Sequence, residues 1–151
     1  MQTQVIGQGK AQASRGLIKK LLMLAAAGGA AFWIIDFIIS MSPIAAEYKA
    51  AFSISSLPMA LVEAFAGGMV IAICVSFFLL RFYYRVPGKK PIFKALILSF
   101  IVMVMIELFS TLGNPAHASV YLLFDTGMNA PRFLALGIGI GYLYKRLYKS
   151  A

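Results

Sequence analysis

The basic residues of this chain are not spread along it: twelve of the fourteen Lys and Arg fall in three short segments, and all five acids lie between those segments. The segments are Lys10, Arg15, Lys19 and Lys20; then Arg81, Arg85, Lys89, Lys90 and Lys94; then Lys145, Arg146 and Lys149. Long apolar runs separate them. Cations that border membrane-length apolar runs set orientation, and by the positive-inside rule all three segments face the cytoplasm. An even number of crossings must then separate one basic segment from the next, so both termini are expected on the cytoplasmic side of the cell membrane.

Composition agrees, because 61% hydrophobic residues, 13% charged residues and a mean hydropathy of +0.85 are too apolar for a soluble domain of 151 residues. The chain reads as a polar cytoplasmic tail over 1–16 and one transmembrane domain over 17–151. A net charge of +9 would suggest nucleic acid in a soluble protein. Here the cations sit at membrane boundaries, where they meet anionic headgroups, so the bilayer is the expected partner and nucleic acid is not. The single Cys74 lies inside an apolar run; it excludes an intramolecular disulfide and a thiolate metal site, and reads as a small buried hydrophobe.

Four spans are predicted, at about 21–41, 57–80, 92–112 and 131–148. The first is broken only by Asp36 and is longer than the roughly 7 to 15 apolar residues of a secretory signal; Ser42-Pro43-Ile44-Ala45-Ala46 also makes a poor cleavage site. The second contains Glu63 and ends at Arg81. The third contains Glu107. The fourth is the shortest, and a helix beginning near Pro131 must carry Arg132 at or below the outer interface if it is to cross. Between the spans, Ser42-Pro43 and Asn114-Pro115 each look like a cap followed by a first-turn proline, with apolar residues at helical spacing beyond. Both are read as short helices at the outer interface. The expected fold is therefore an all-α integral membrane bundle: four transmembrane helices in two hairpins, with two short interfacial helices on the outer side.

The hairpins share a pattern. Asp36, Pro43, Phe52 and Pro58 in the first half are echoed by Glu107, Pro115, Phe124 and Pro131 in the second, with one-residue offsets. Either this is a parallel internal repeat about an axis along the membrane normal, or it is coincidence in a biased composition. Glu63 has no acidic counterpart in the fourth span.

Counting helical rise from the nearest basic residue puts Asp36 roughly 24 Å, Glu63 roughly 27 Å, Glu107 roughly 20 Å and Arg132 roughly 20 Å from the cytoplasmic end. Matched depth and opposite charge predict a structural ion pair between Glu107 and Arg132, since an unpaired charge in lipid costs at least about 2.5 to 3.5 kcal/mol. Asp36, Glu63 and Glu107 form a candidate ion or proton site in the outer half. Glu63 shares a helical face with Ala60, Ala66 and Gly67, small residues that favour close packing, so it is expected to face inward. His117 and Asp125 are possible additions, but a lone His gives no metal set. No metal and no cofactor are expected. Gly137-xxx-Gly141 and Ala27-xxx-Ala31 permit close helix contact, within the chain in the commoner case.

No catalytic or nucleotide-binding constellation is present in the sequence, and the chain reads as a non-enzyme. The first functional reading is a non-catalytic accessory or scaffold subunit that packs against itself or other membrane subunits. The alternative is a small oligomeric proton- or cation-linked transporter or channel working through the outer carboxylates.

Overall fold

A computed structural model describes residues 2–43, 57–113 and 118–149. Four helices account for nearly all of them: α1 (Gln2–Ser40), α2 (Leu57–Phe82), α3 (Pro91–Gly113) and α4 (Ala118–Lys149). There is no strand among the described residues. Local chemistry sets the ends. Proline occupies the first turn of α2 and opens α3, where its missing N–H costs nothing. α3 stops at Gly113, just before Asn114-Pro115. The turn after α2 is closed by Arg85 and Val86 amides donating to the Phe82 carbonyl, at 2.9 and 3.2 Å, and by Gly88 at a φ of 112°, where an L side chain would be strained.

Three helices contain stretches long and apolar enough to cross a membrane: Arg15–Ser40, Leu61–Phe82 and Pro91–Leu112. The chain is thus a small multi-pass membrane protein. The N-terminal polar segment is helical from Gln2 and runs straight into the first of these stretches.

Contacts fix the arrangement. Along α1 and α2, Trp33 Nε1 donates to the Leu61 carbonyl (3.3 Å), Phe32 covers Gly68, and Gly28 faces Ala72. Along α1 and α4, Gly139 sits on Ala27 and Ala31, and Lys20 lies over Tyr148. Along α3 and α4, Gly137 meets Leu96 and Ser99, and Gly141 meets the backbone of Ile92. In every pair residue numbers rise on one helix as they fall on the other, so neighbours are antiparallel. α4 lies between α1 and α3 along their apolar lengths.

Gly137-Ile138-Gly139-Ile140-Gly141 makes that sandwich possible. Gly137 and Gly141 share the face toward α3, and Gly139 is turned toward α1. A Cβ at Gly137 would stand 3.0 Å from the Leu96 Cα, and one at Gly141 would overlap the Ile92 backbone. Around this close approach the core gathers Leu24, Phe32, Val75, Leu79, Phe133, Leu136 and Ile140, with Phe32 and Phe133 edge to face at 5.6 Å.

Two expectations change. The short helix expected after Asn114-Pro115 is not separate: α4 begins at Ala118 and continues through Pro131 to Lys149, so this segment is the N-terminal part of the fourth helix. Proline was read as a start signal, but a proline inside a helix costs one backbone hydrogen bond and need not end it when packing against neighbouring helices holds the two parts in line. Gly127 is the residue whose carbonyl Pro131, lacking an N–H, cannot meet. The other outer helix, beyond Pro43, falls in 44–56 and lies outside the described residues, as does His117.

The repeat is matched in direction but not in register. α1 and α3 run parallel, as do α2 and α4. Aligning Asp36 with Glu107 and Pro58 with Pro131 makes Ser99 and Gly137 the equivalents of Gly28 and Ala64, yet Gly28 lies against Ala72. The second hairpin is thus slipped by about two helical turns relative to the first.

The three basic segments meet at one end. There Lys94 is buried, its ammonium donating to the Tyr83 carbonyl (2.6 Å) and lying 4.1 Å from the centre of the Tyr83 ring. Tyr83 stacks on Tyr144 (4.9 Å), Tyr144 on Tyr148 (4.4 Å), and Lys20 covers Tyr148 at 4.2 Å. A cation at each end thus encloses three stacked rings, joining α1, the α2–α3 turn, α3 and α4.

Candidate functional site: the polar chain at the acidic end

At the opposite end, ionisable side chains enter the bundle from three helices. Asp36 comes from the last turns of α1, Glu107 from the last turns of α3, and Asp125, Asn129 and Arg132 from α4. Asp125, Asn129 and Arg132 are spaced four and three apart, so a continuous helix brings all three to one face. That face looks into the seam between α1 and α3.

Arg132 Nη2 lies 2.6 Å from Asp36 Oδ1, and the two side chains are only 15% and 6% exposed. Arg132 Nη1 donates to Asn129 Oδ1 at 2.8 Å, and Asn129 Nδ2 donates to Glu107 Oε1 at 2.8 Å. Asp36, Arg132, Asn129 and Glu107 thus form one hydrogen-bonded chain that crosses from α1 through α4 to α3. The amide works as an adaptor: its oxygen accepts from the cation and its nitrogen donates to the carboxylate, so one uncharged side chain serves both partners.

The direct partner of Arg132 is therefore Asp36, not the Glu107 expected from depth, and Glu107 is reached through Asn129. The geometry follows from helix order. α4 has α1 on one side and α3 on the other, so the guanidinium has a carboxylate on each side and the near one takes the short contact. Arg132 Nε is buried and has no hydrogen-bond partner among the described residues.

Asp125 lies beside the Glu107 carboxyl at the far end of the chain. Burial raises the Asp125 carboxyl above the ordinary aspartate range, against the lowering effects of its hydrogen bond to Glu107 and of the Arg132 charge. No three His, Cys, Asp or Glu side chains converge as a metal set among the described residues.

Of the three residues expected to form an ion or proton site, Asp36 and Glu107 belong to this chain and Glu63 does not. Glu63 lies exposed on the outward side of α2. Ala66 and Gly67 on the same face are exposed as well, and a Cβ added at Gly67 would find nothing within 4 Å. The small residues that α2 does pack against α1 are Gly68 and Ala72, on the adjoining face. Asn129 was not foreseen. Its signal was the spacing of Asp125, Asn129 and Arg132, which is visible only if the helix is carried through Pro131. No protein-family model, no curated protein and no solved structure matches the chain.

Proposed function

We propose that this chain is a non-catalytic accessory subunit of a membrane assembly, crossing the bilayer four times with both termini in the cytoplasm. The observation that carries this reading is the outward face of α2, where Glu63, Ala66 and Gly67 lie exposed at helical spacing with none of the described residues packed on Gly67. Small residues let another helix approach closely, and a carboxylate at the rim of such a face offers a partner a hydrogen bond or an ion pair. The outer polar chain supports the same reading, because its ion pair and hydrogen bonds join α1, α4 and α3 to one another. Four crossings are supported by the course of α4 between α1 and α3, and the orientation by the gathering of the basic segments at one end.

Gentle extraction of the native protein followed by native mass measurement tests this. Co-purification with unrelated membrane subunits, lost in Gly67→Leu, is the expected result. A lone monomer, unchanged by Gly67→Leu, rejects it.

A second reading, a proton-linked conductor, is favoured by one observation: the contact of the Asp125 and Glu107 carboxyls, a pair suited to taking up and releasing a proton. Under it, purified protein in liposomes with a trapped pH dye carries a proton flux that Glu107→Gln abolishes, and the native mass is a defined homo-oligomer. Silence of the folded protein under an imposed gradient rejects it.

A further inference from the structure

The basic end contains a cavity of about 790 Å³ between the end of α2, the following turn, the start of α3 and the end of α4. Arg81, Lys89, Lys90 and Lys145 line it, and all four are exposed. None has a carboxylate partner among the described residues. Every described acid, Asp36, Glu63, Glu107 and Asp125, belongs to the other end of the bundle. The wall between these cations is aromatic: Tyr83, Tyr144 and Tyr148 of the stacked ladder are part of it. The first turn of α3, at Pro91 and Ile92, forms another part, so the positive end of a helix dipole joins four cations around one space.

We propose that this cavity binds the phosphate-bearing headgroup of an anionic membrane phospholipid. The charge requires an anion, since four converging cations without a counter-charge repel one another and an anion with several acceptor oxygens relieves all four. Phosphate chemistry could be supplied by a lipid or by a soluble compound. A lipid is favoured by a second, apolar groove of about 270 Å³ between α1 and α2, lined by Leu17, Leu21 and Phe77. Leu80 and Arg81 line both spaces, so a headgroup held in the first leaves its acyl chain beside an apolar track. Tyrosine rings flanking the phosphate place the site at the depth of the headgroups. The proposal rests on the membrane crossing described above but on neither its direction nor the accessory role.

Native mass spectrometry of the full chain in detergent, with phosphatidylglycerol or phosphatidylcholine added at equal concentration, tests it. The expected result is one retained phosphatidylglycerol per chain and little retained phosphatidylcholine. Lys89→Gln and Lys145→Gln should each weaken retention by about fivefold, given what a basic residue contributes near an anionic surface. Lys89→Arg should keep it. Lys19→Gln, an exposed cation at the same end but outside the cavity, should leave it unchanged. Equal retention of the two lipids, or an equal loss in Lys19→Gln, overturns the proposal and leaves only diffuse surface charge. Displacement of phosphatidylglycerol by millimolar inorganic phosphate, which then binds alone, overturns the lipid assignment in favour of a soluble phosphate compound. The comparison of the two lipids uses the unmodified chain, so it holds even if a variant folds poorly.

Discussion

The two ends of the bundle bury charge by opposite means. At the acidic end a guanidinium is held by a carboxylate and an amide, and every hydrogen bond in the chain from Asp36 to Glu107 joins side chain to side chain. At the basic end a buried ammonium is held by a backbone carbonyl and the face of a ring, with no carboxylate involved. The Tyr83 carbonyl follows the last residue of α2, where helix carbonyls lack partners and the dipole is negative, so Lys94 meets an acceptor that the helix end supplies. The difference is one of surplus. Among the described residues the acidic end commits its cation, Arg132, internally, whereas the basic end holds Lys94 without using an acid and leaves its other cations available to an external anion.

The largest effect should come from breaking the acidic end. Arg132→Gln strands Asp36 in a buried site, and removing one partner of a buried pair costs about 3 to 5 kcal/mol. Folded yield and thermal unfolding in detergent should fall accordingly. Asp36→Asn combined with Arg132→Gln should lose less than the two single changes added together; strict additivity would show that the pair does not interact. At the basic end Lys94→Met keeps the volume but deletes the hydrogen bond to Tyr83 and the cation over its ring, with an expected loss of about 2 kcal/mol. If Lys94→Met costs as much as Arg132→Gln, the contrast drawn between the ends is lost. Asn129→Ala removes only the adaptor, and about 1 to 2 kcal/mol is expected from leaving Glu107 and Arg132 each short of one bond.

The smallest effect concerns protons. The Asp125 carboxyl is raised above its ordinary value of 3.8, so the folded state holds a proton over a window above that pH that the unfolded chain has released. Its contribution to stability is present below that window and is lost as pH rises through the folded value. Unfolding temperature should therefore rise as pH is lowered through the window above 3.8, and Asp125→Asn should flatten the slope. No cation at the basic end takes part, so Lys94→Met should leave the slope unchanged.

The membrane class, the helical content and the segregation of charge were legible in the sequence, because all three depend on position along the chain alone. The partner of Arg132 was not. Helical rise gives depth, and the roughly 4 Å between the estimated depths of Asp36 and Glu107 is within what one arginine side chain can span. Which carboxylate it meets depends on which helices are neighbours, and that is decided by the glycines of α4 opposite Ala27, Ala31, Leu96 and Ile92. The orientation of Glu63 failed for a related reason. Small residues signal close approach but not which helix approaches, and α1 took the Gly68 face of α2 rather than the Gly67 face. Asn129 was hidden by Pro131, whose ordinary meaning is a beginning.

That proline has a mechanical consequence. Having no N–H, Pro131 removes one rung from the ladder of α4 at Gly127, between Asp125 and Arg132. The turns before Pro131 are therefore tied to the rest of α4 by a weaker spine, and side chains bridge the gap: Asn129 bonds Arg132 across the missing rung and Glu107 on the neighbouring helix, so the polar chain also braces the helix at its weakest point.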